Sequence, residues 1–271
     1  VVTQEQRKRQ LAREKFLRQQ QRRTAARRKA RMRNSVIASV LGVILVGSLA
    51  LYTSDVLKGD DDKSDAAAAT PSPTPSAIAD PCKKPAEGKV KTATWKKEPS
   101  LTIDKSAKYT MKLATTCGDI DIALKTKAAP HTVNSFDFLA AKGYFDHTKC
   151  HRLTTNGIYV LQCGDPTGSG SGGPGYTIPD ENLKDKSLKD NIYPAGTIAM
   201  ANTGKAHTGG SQFFLVYQDS QLPPSYTPFG TVSESGMTVL KKIAAAGEST
   251  GAGDGAPNAT VVINKATVTK S

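Results

Sequence analysis

The chain has 271 residues, with 37 Lys and Arg against 24 Asp and Glu and a formal net charge of +13. Its length allows one or two domains with a proper core. The charge is concentrated at one end: residues 1–33 hold thirteen Lys and Arg against two acids, Glu5 and Glu14, a local +11. The remainder is close to neutral, which excludes a folded domain organised around nucleic-acid phosphates.

The basic tail (for example Arg22-Arg23 and Arg27-Arg28-Lys29) has two readings. It is either a patch for anionic lipid or nucleic acid, or a set of charges that holds a membrane anchor in place, and the second is preferred. Asn34–Ser54, NSVIASVLGVILVGSLALYTS, is uncharged. As a helix at ~1.5 Å per residue it would cross the hydrocarbon core of a bilayer. It is therefore expected to be one transmembrane anchor over 34–54. Basic residues before it and the acids Asp55 and Asp60-Asp-Asp62 after it put the N-terminus in the cytoplasm and the rest outside, a single-pass topology. A cleaved signal peptide is the rival, but no good small-residue cleavage site follows the apolar run. Residues 55–92 are rich in Asp, Ala and Pro, with Thr70-Pro-Ser-Pro-Thr-Pro-Ser76, and too poor in apolar surface for a core. They read as a disordered linker that provides reach.

The folded domain is expected over 93–271, starting near Trp95. Tyr109–Leu113 and Ile120–Leu124 alternate apolar and polar residues as half-buried strands do, with Cys117-Gly118-Asp119 as the hairpin turn. Pro130–Gly143 reads as a helix with Thr132 as cap, Val133, Phe136, Leu139 and Ala140 as its apolar stripe and Gly143 as its stop. Short strands follow at Val160–Gln162, Thr197–Ala201, Phe213–Tyr217 and Phe229–Val232. A second helix is expected over Met237–Ala246, and a last strand over Thr260–Thr269. Many short strands with two helices suggest a β-barrel with helices packed on its ends.

Several motifs mislead. Gly168-Ser-Gly170-Ser-Gly-Gly173 matches GxGxxG by letter, but Pro174-Gly175 follows where a dinucleotide site needs a helix. Ser211 lacks the GxSxG elbow. Cys150 beside His151 is no thiol–imidazole pair, because adjacent strand residues face opposite ways. Asp180-Glu181 reads as two solvated loop carboxylates. The cysteines Cys82, Cys117, Cys150 and Cys163 show no CxxC spacing, and His131, His147, His151 and His207 form no ligand motif, so neither metal nor cofactor is expected. On the proposed outer side, disulfides can persist.

The most informative stretch runs from Gly143 to Gly236. It contains Gly143-Tyr-Phe-Asp, Cys150-His-Arg-Leu153, Gln162-Cys-Gly-Asp-Pro166 and Gly172-Gly-Pro-Gly-Tyr176. Asp180-Glu-Asn182, Gly196-Thr-Ile-Ala-Met-Ala-Asn202, Gly210-Ser-Gln-Phe-Phe214 and Phe229-Gly-Thr-Val232 follow in order. Together with Ala129-Pro130 and Val133-Asn-Ser-Phe136, this pattern resembles the cyclophilins over roughly residues 100–271. The resemblance implies a mainly β fold, an eight-stranded antiparallel barrel capped by two helices, here preceded by one transmembrane helix.

It also implies a peptidyl-prolyl cis–trans isomerase that takes X-Pro peptides in a groove on the outer wall. Arg152 falls at the family's catalytic arginine and His151 at the histidine beside it. Tyr159, Val160 and Gln162 fall in the groove, as do Ala201 and Asn202 on the strand that pairs with substrate backbone. Gln212 and Phe214, Leu222 and Tyr226 complete the site. The sequence departs from the family in a two-residue insertion near Thr154–Asn156, in Cys150 and Cys163, and in Gln221, where cyclosporin-sensitive members carry tryptophan. Cys150 and Cys163 lie on strands this fold makes neighbours. Strict alternation nevertheless puts them on opposite faces unless a bulge intervenes, and Cys82 with Cys117 would be the remaining pair.

The chemistry fits these residue types. Rotation about a peptide bond faces ~18–20 kcal/mol, and no bond is made or broken, so no nucleophile or cofactor is needed. A fixed guanidinium can engage the prolyl nitrogen as it loses conjugation, while an apolar pocket holds the ring. The expected partners are proline-containing peptides and unfolded or slowly folding exported proteins, acted on by a monomer. A non-catalytic proline-peptide binding module or holdase at the membrane surface is the alternative.

Overall fold

The structure, a computed structural model, describes residues 79–271. The basic tail, the expected anchor over 34–54 and the linker as far as residue 78 lie outside the described residues. Among the described residues no helix is long and apolar enough to cross a membrane.

Alternation builds the first hairpin. Strands β1 (Tyr109–Thr115) and β2 (Gly118–Leu124) bury Tyr109, Met111, Leu113, Ile120, Ile122 and Leu124, as side chains of period two must when one face is covered. Thr115 faces Gly118 in the register, so the turn is Thr116-Cys117, one residue earlier than expected. Helix α1 (Pro130–Ala141) follows, then β3 (Thr148–Lys149), β4 (Arg152–Thr154), β5 (Val160–Cys163), β6 (Ile192–Tyr193), β7 (Thr197–Met200) and β8 (Phe213–Val216). Next come β9 (Ser220–Gln221), β10 (Pro228–Val232), helix α2 (Glu234–Ala245), β11 (Asp254–Gly255) and β12 (Val262–Lys270).

The main sheet is antiparallel throughout, in the order β11-β4-β5-β8-β7-β10-β2-β1-β12-β3. Only Cys150 and His151 separate β3 from β4. The Cys150 N–H donates to Val261 O (3.0 Å), next to β12, while the His151 N–H donates to Gln162 O (3.1 Å) on β5. The segment 148–154 thus changes partner in mid-course, and the sheet curls until its two ends meet in one stretch of chain.

That crossing also resolves the cysteine parity. Gln162 is the register partner of Arg152, yet it accepts from His151 as well, so two residues of one strand face one of the other. Such a bulge brings Cys150 level with Cys163. The two form a disulfide with Cα atoms 4.0 Å apart, and Cys82 pairs with Cys117.

The core fills the inside of the curl. Phe136 of α1 plugs it, with ring centroids 4.6 Å from Phe229, 5.2 Å from Phe145 and 5.6 Å from Phe213. Truncating so buried an aromatic side chain costs about 3–5 kcal/mol.

Thr132 does not cap α1. The helix already starts at Pro130, whose fixed φ and missing N–H suit the first turn. The cap comes from Glu181, whose carboxylate accepts from His131 N (3.1 Å), Thr132 N (2.9 Å) and the Thr132 hydroxyl (2.9 Å). A negative charge is favourable there. Asp180-Glu181 is therefore not a solvated pair. Helix α2 starts three residues before its expected first residue, Met237, because Ser233 caps it through Gly236 N (3.1 Å). Gly236 lets the helix approach the sheet closely: a Cβ there would meet Val232 Cγ1 at 2.8 Å.

Residues 80–102, partly assigned to the linker above, lie along the curl as a strap. Lys83 N donates to Thr116 O (2.9 Å), Ala86 N to Asn264 Oδ1 (3.0 Å) and Trp95 N to Pro174 O (2.8 Å). The Trp95 ring packs edge-on to Phe138 at 5.1 Å, and buried Asn134 accepts from Thr102 N (2.9 Å) at the strap's far end. The expected linker end at residue 92 is thus too late. The strap has no periodic apolar pattern, because single contacts hold it rather than one continuous face.

Candidate active site

On β5, Leu161 and Cys163 point into the core, so Val160 and Gln162 point outward. Val160 lies opposite Val216 and Gln162 opposite Phe214, while Ala199 of β7 also faces Phe214. These outward residues form a second apolar cluster, Val160, Tyr193, Ala199, Phe214 and Val216, against which Ile158, Ala201, Leu222 and Tyr226 pack.

Tyr193 organises it. Its hydroxyl donates to Tyr226 O (2.8 Å) and accepts from Tyr226 N (3.2 Å). Burial pushes its phenol up to about 12, so it stays neutral and keeps its proton for that bond. Tyr226 is held edge-on to Phe214, with centroids 5.4 Å apart. The result is a shallow apolar pocket of Val160, Phe214, Leu222 and Tyr226.

Arg152 stands beside this pocket. Its Nε and Nη2 donate to the two carboxylate oxygens of Asp254 (2.7 and 2.8 Å), and its Nη1 donates to Gln162 Oε1 (3.2 Å). The bonds to Asp254 raise its already high pKa further. Its side chain is 38% exposed and that of Asp254 52%, so the pair contributes at most about 1 kcal/mol to stability. Its value lies in aim. Among the described residues, three of the five guanidinium N–H donors are used, and the others are available to the groove. Gln162 Nε2 donates onward to Gln212 Oε1 (2.9 Å), and Gln212 Nε2 to Gly172 O (2.9 Å). One polar chain therefore runs from Asp254 across β4 and β5 to Gln212, just before β8, and on to the glycine-rich loop.

That loop is an anchored turn and not a nucleotide cradle. Buried Asp165 accepts from Thr167 N (2.7 Å) and Gly170 N (2.6 Å). Burial works to raise the Asp165 pKa, but the bonds from Thr167, Gly172 and Gly170 outweigh it and hold the carboxylate ionised. Beyond Gln162 and Gln212 the groove opens into a cavity of about 1070 Å³, which Ala201 and Asn202 also line. Asn202 is set by its Nδ2, which donates to Ser225 O (2.8 Å).

The structure thus gathers Arg152, Gln162, Gln212, Val160, Phe214, Leu222, Tyr226, Ala201 and Asn202 along one groove. His151 lies next to Arg152, near Gly170, and among the described residues neither of its ring nitrogens has a hydrogen-bond partner. Burial lowers its pKa, nearby Arg152 lowers it further, and Asp165 partly opposes them. Tyr159 does not join the pocket. It packs on Tyr217 (5.9 Å) and the main core, and Ile158 stands at the pocket instead. Parity is the cause: 158, 160 and 162 share a face, and 159 cannot.

Sequence reasoning missed Asp254, Tyr193 and the strap. Asp254 opens β11 directly after a glycine-rich loop that the Glu248 carboxylate shapes by accepting from Thr250 N (2.6 Å) and Gly253 N (2.8 Å). Nothing local points from there to Arg152.

The family profile described as cyclophilin type peptidyl-prolyl cis-trans isomerase/CLD matches residues 110–268. A probable peptidyl-prolyl cis-trans isomerase B of Mycobacterium tuberculosis is 45% identical over 199 residues, covering 70% of this chain and 60% of its own. Its Mycobacterium leprae counterpart is 46% identical over 199 residues, covering 70% and 63%. The chain therefore spans less than two thirds of these relatives' length. Among solved structures, a cyclophilin type isomerase of Cryptosporidium parvum is similar with a TM-score of 0.51 at 27% identity, covering 60% of this chain and 99% of that one.

Proposed function

The chain belongs to the cyclophilin-type peptidyl-prolyl cis–trans isomerase family, and on that premise we propose that it accelerates X-Pro isomerisation through Arg152. The observation that carries this is the guanidinium, clamped by Asp254 and Gln162 beside the apolar residues of the outer wall.

The proline ring enters the pocket of Val160, Phe214, Leu222 and Tyr226, while Ala201 and Asn202 meet the substrate backbone. As the C–N bond turns, the prolyl nitrogen regains its lone pair. A free Arg152 N–H stabilises that nitrogen, and the amide loses the conjugation that set its barrier. Gln162 and Gln212 orient substrate carbonyl and amide groups. Lowering the barrier by ~7 kcal/mol gives about five decades of rate. A protease-coupled assay on X-Pro peptides tests this: acceleration without added metal supports it, and an uncatalysed rate rejects it.

We read the curl, with β3 and β4 as one bent strand and the two-residue β11 outside the count, as the eight-stranded barrel. The setting proposed is a membrane surface, with residues 34–54 as anchor, 1–33 cytoplasmic and the domain outside, acting as a monomer on exported proteins. Two disulfides support an oxidising compartment. Protease added to intact cells without an outer barrier should release the domain. Release of the N-terminal tail instead would reverse the orientation.

A further inference from the structure

The cavity beside the pocket has a wall that the barrel does not supply. Lys96, Lys97 and Glu98 of the strap line it opposite Gln212 and Asn202. Their position is determined just before them: Trp95 N donates to Pro174 O (2.8 Å), and the Trp95 ring lies on Phe138 (5.1 Å) and Tyr144 (5.8 Å). Gly175 admits this approach. Its φ is +86°, and a Cβ there would stand 2.8 Å from Trp95 O. Strap and loop thus form one fixed wall.

That wall is cationic. Among the described residues Glu98 is the one acidic residue lining the cavity, and its carboxylate lies 3.4 Å from His131 Nδ1 at the start of α1. Among the described residues neither Lys96 nor Lys97 has a carboxylate within ion-pair distance. Both are exposed at the rim. The cavity shares Gln162, Gln212 and Ala201 with the proline site, so a peptide held there passes directly into it.

Resting on the isomerase reading above, we propose that the strap makes this cavity a specificity subsite for acidic side chains. Lys96 and Lys97 favour substrates with Asp or Glu within about three residues of the proline, a reach set by ~3.3 Å per extended residue. Long-range attraction between such exposed charges adds to encounter and weakens with salt.

The test compares X-Pro peptides carrying Asp, Gln or Lys at each position flanking the proline, using the full chain and a Lys96→Glu/Lys97→Glu variant. At low salt the Asp peptide at the responsive position should show about five-fold higher kcat/KM than the Gln peptide. The preference should fade by about 0.5 M salt and reverse in the variant, while the Gln peptide is turned over equally by both. An absent preference, or one unchanged in the variant, overturns the proposal. If no peptide is isomerised by either form, the isomerase reading fails by itself. Titration of the same peptides then decides the subsite: it stands if the acidic peptide binds more tightly and the variant abolishes this, and falls otherwise.

Discussion

Asp254 and Arg152, 102 positions apart in the chain, meet in a two-pronged ion pair with contacts of 2.7 and 2.8 Å. The pair is too exposed to stabilise the fold much. Its consequence is directional: it leaves the guanidinium one orientation, with Gln162 holding the other side.

Asp254→Ala should therefore lower kcat/KM about ten-fold with little change in the unfolding midpoint, since an arginine free to rotate loses pre-organisation. Asp254→Glu should recover part of the rate. Steady-state kinetics beside urea unfolding check this. Unchanged kinetics in Asp254→Ala would show that Arg152 needs no clamp.

The Cys150–Cys163 bond closes a loop of sequence separation 13 and ties down the bulge that aims Arg152. Replacing both cysteines with alanine should cost about 3 kcal/mol in denaturant unfolding. It should also lower kcat more than it raises KM, because the neighbouring arginine is loosened while the pocket is intact. Equal kcat in both forms would reduce the disulfide to a purely stabilising role.

Much of this was legible in the sequence, for identifiable reasons. Strands β1 and β2 show period-two alternation, and the motif residues Arg152, Gln162, Gln212 and Phe214 fall on or beside neighbouring strands of one face. Tyr159 was misplaced because an insertion upstream made its alignment ambiguous, although counting parity back from Gln162 would have turned it inward. The cap from Glu181 and the clamp from Asp254 depend on loops brought together only by the closed sheet, so no local spacing announces them. The strap escaped because it is held by single contacts, Cys82 to Cys117 and Trp95 to Phe138 among them.

His151 gives a pH dependence of stability. Its folded pKa is lowered, chiefly by burial, so the unfolded chain binds a proton more readily than the folded one. Its contribution is constant well above pH ~6.5 and stability falls as the pH drops below that value. His151→Gln should flatten this slope, as read by urea midpoints at about pH 8 and about pH 5. An identical slope in both proteins would mean that His151 is not held neutral. Arg152 does not titrate in this range, so activity should stay nearly level across it.

Gln221 is exposed beside Leu222, where a tryptophan would offer an indole N–H and a broad apolar face. Cyclosporin should bind weakly, and Gln221→Trp should tighten it, as measured by isothermal titration. Tight binding by the unaltered chain would show that Gln221 does not occupy that place.

The most direct test of the account is Arg152→Ala in the protease-coupled X-Pro assay. The account predicts a loss of kcat/KM of about two decades, equivalent to ~2.7 kcal/mol of transition-state stabilisation, with an unchanged unfolding midpoint. Equal rates in the variant and the unaltered protein would contradict it, leaving the groove as a proline-peptide binding surface without a catalytic arginine.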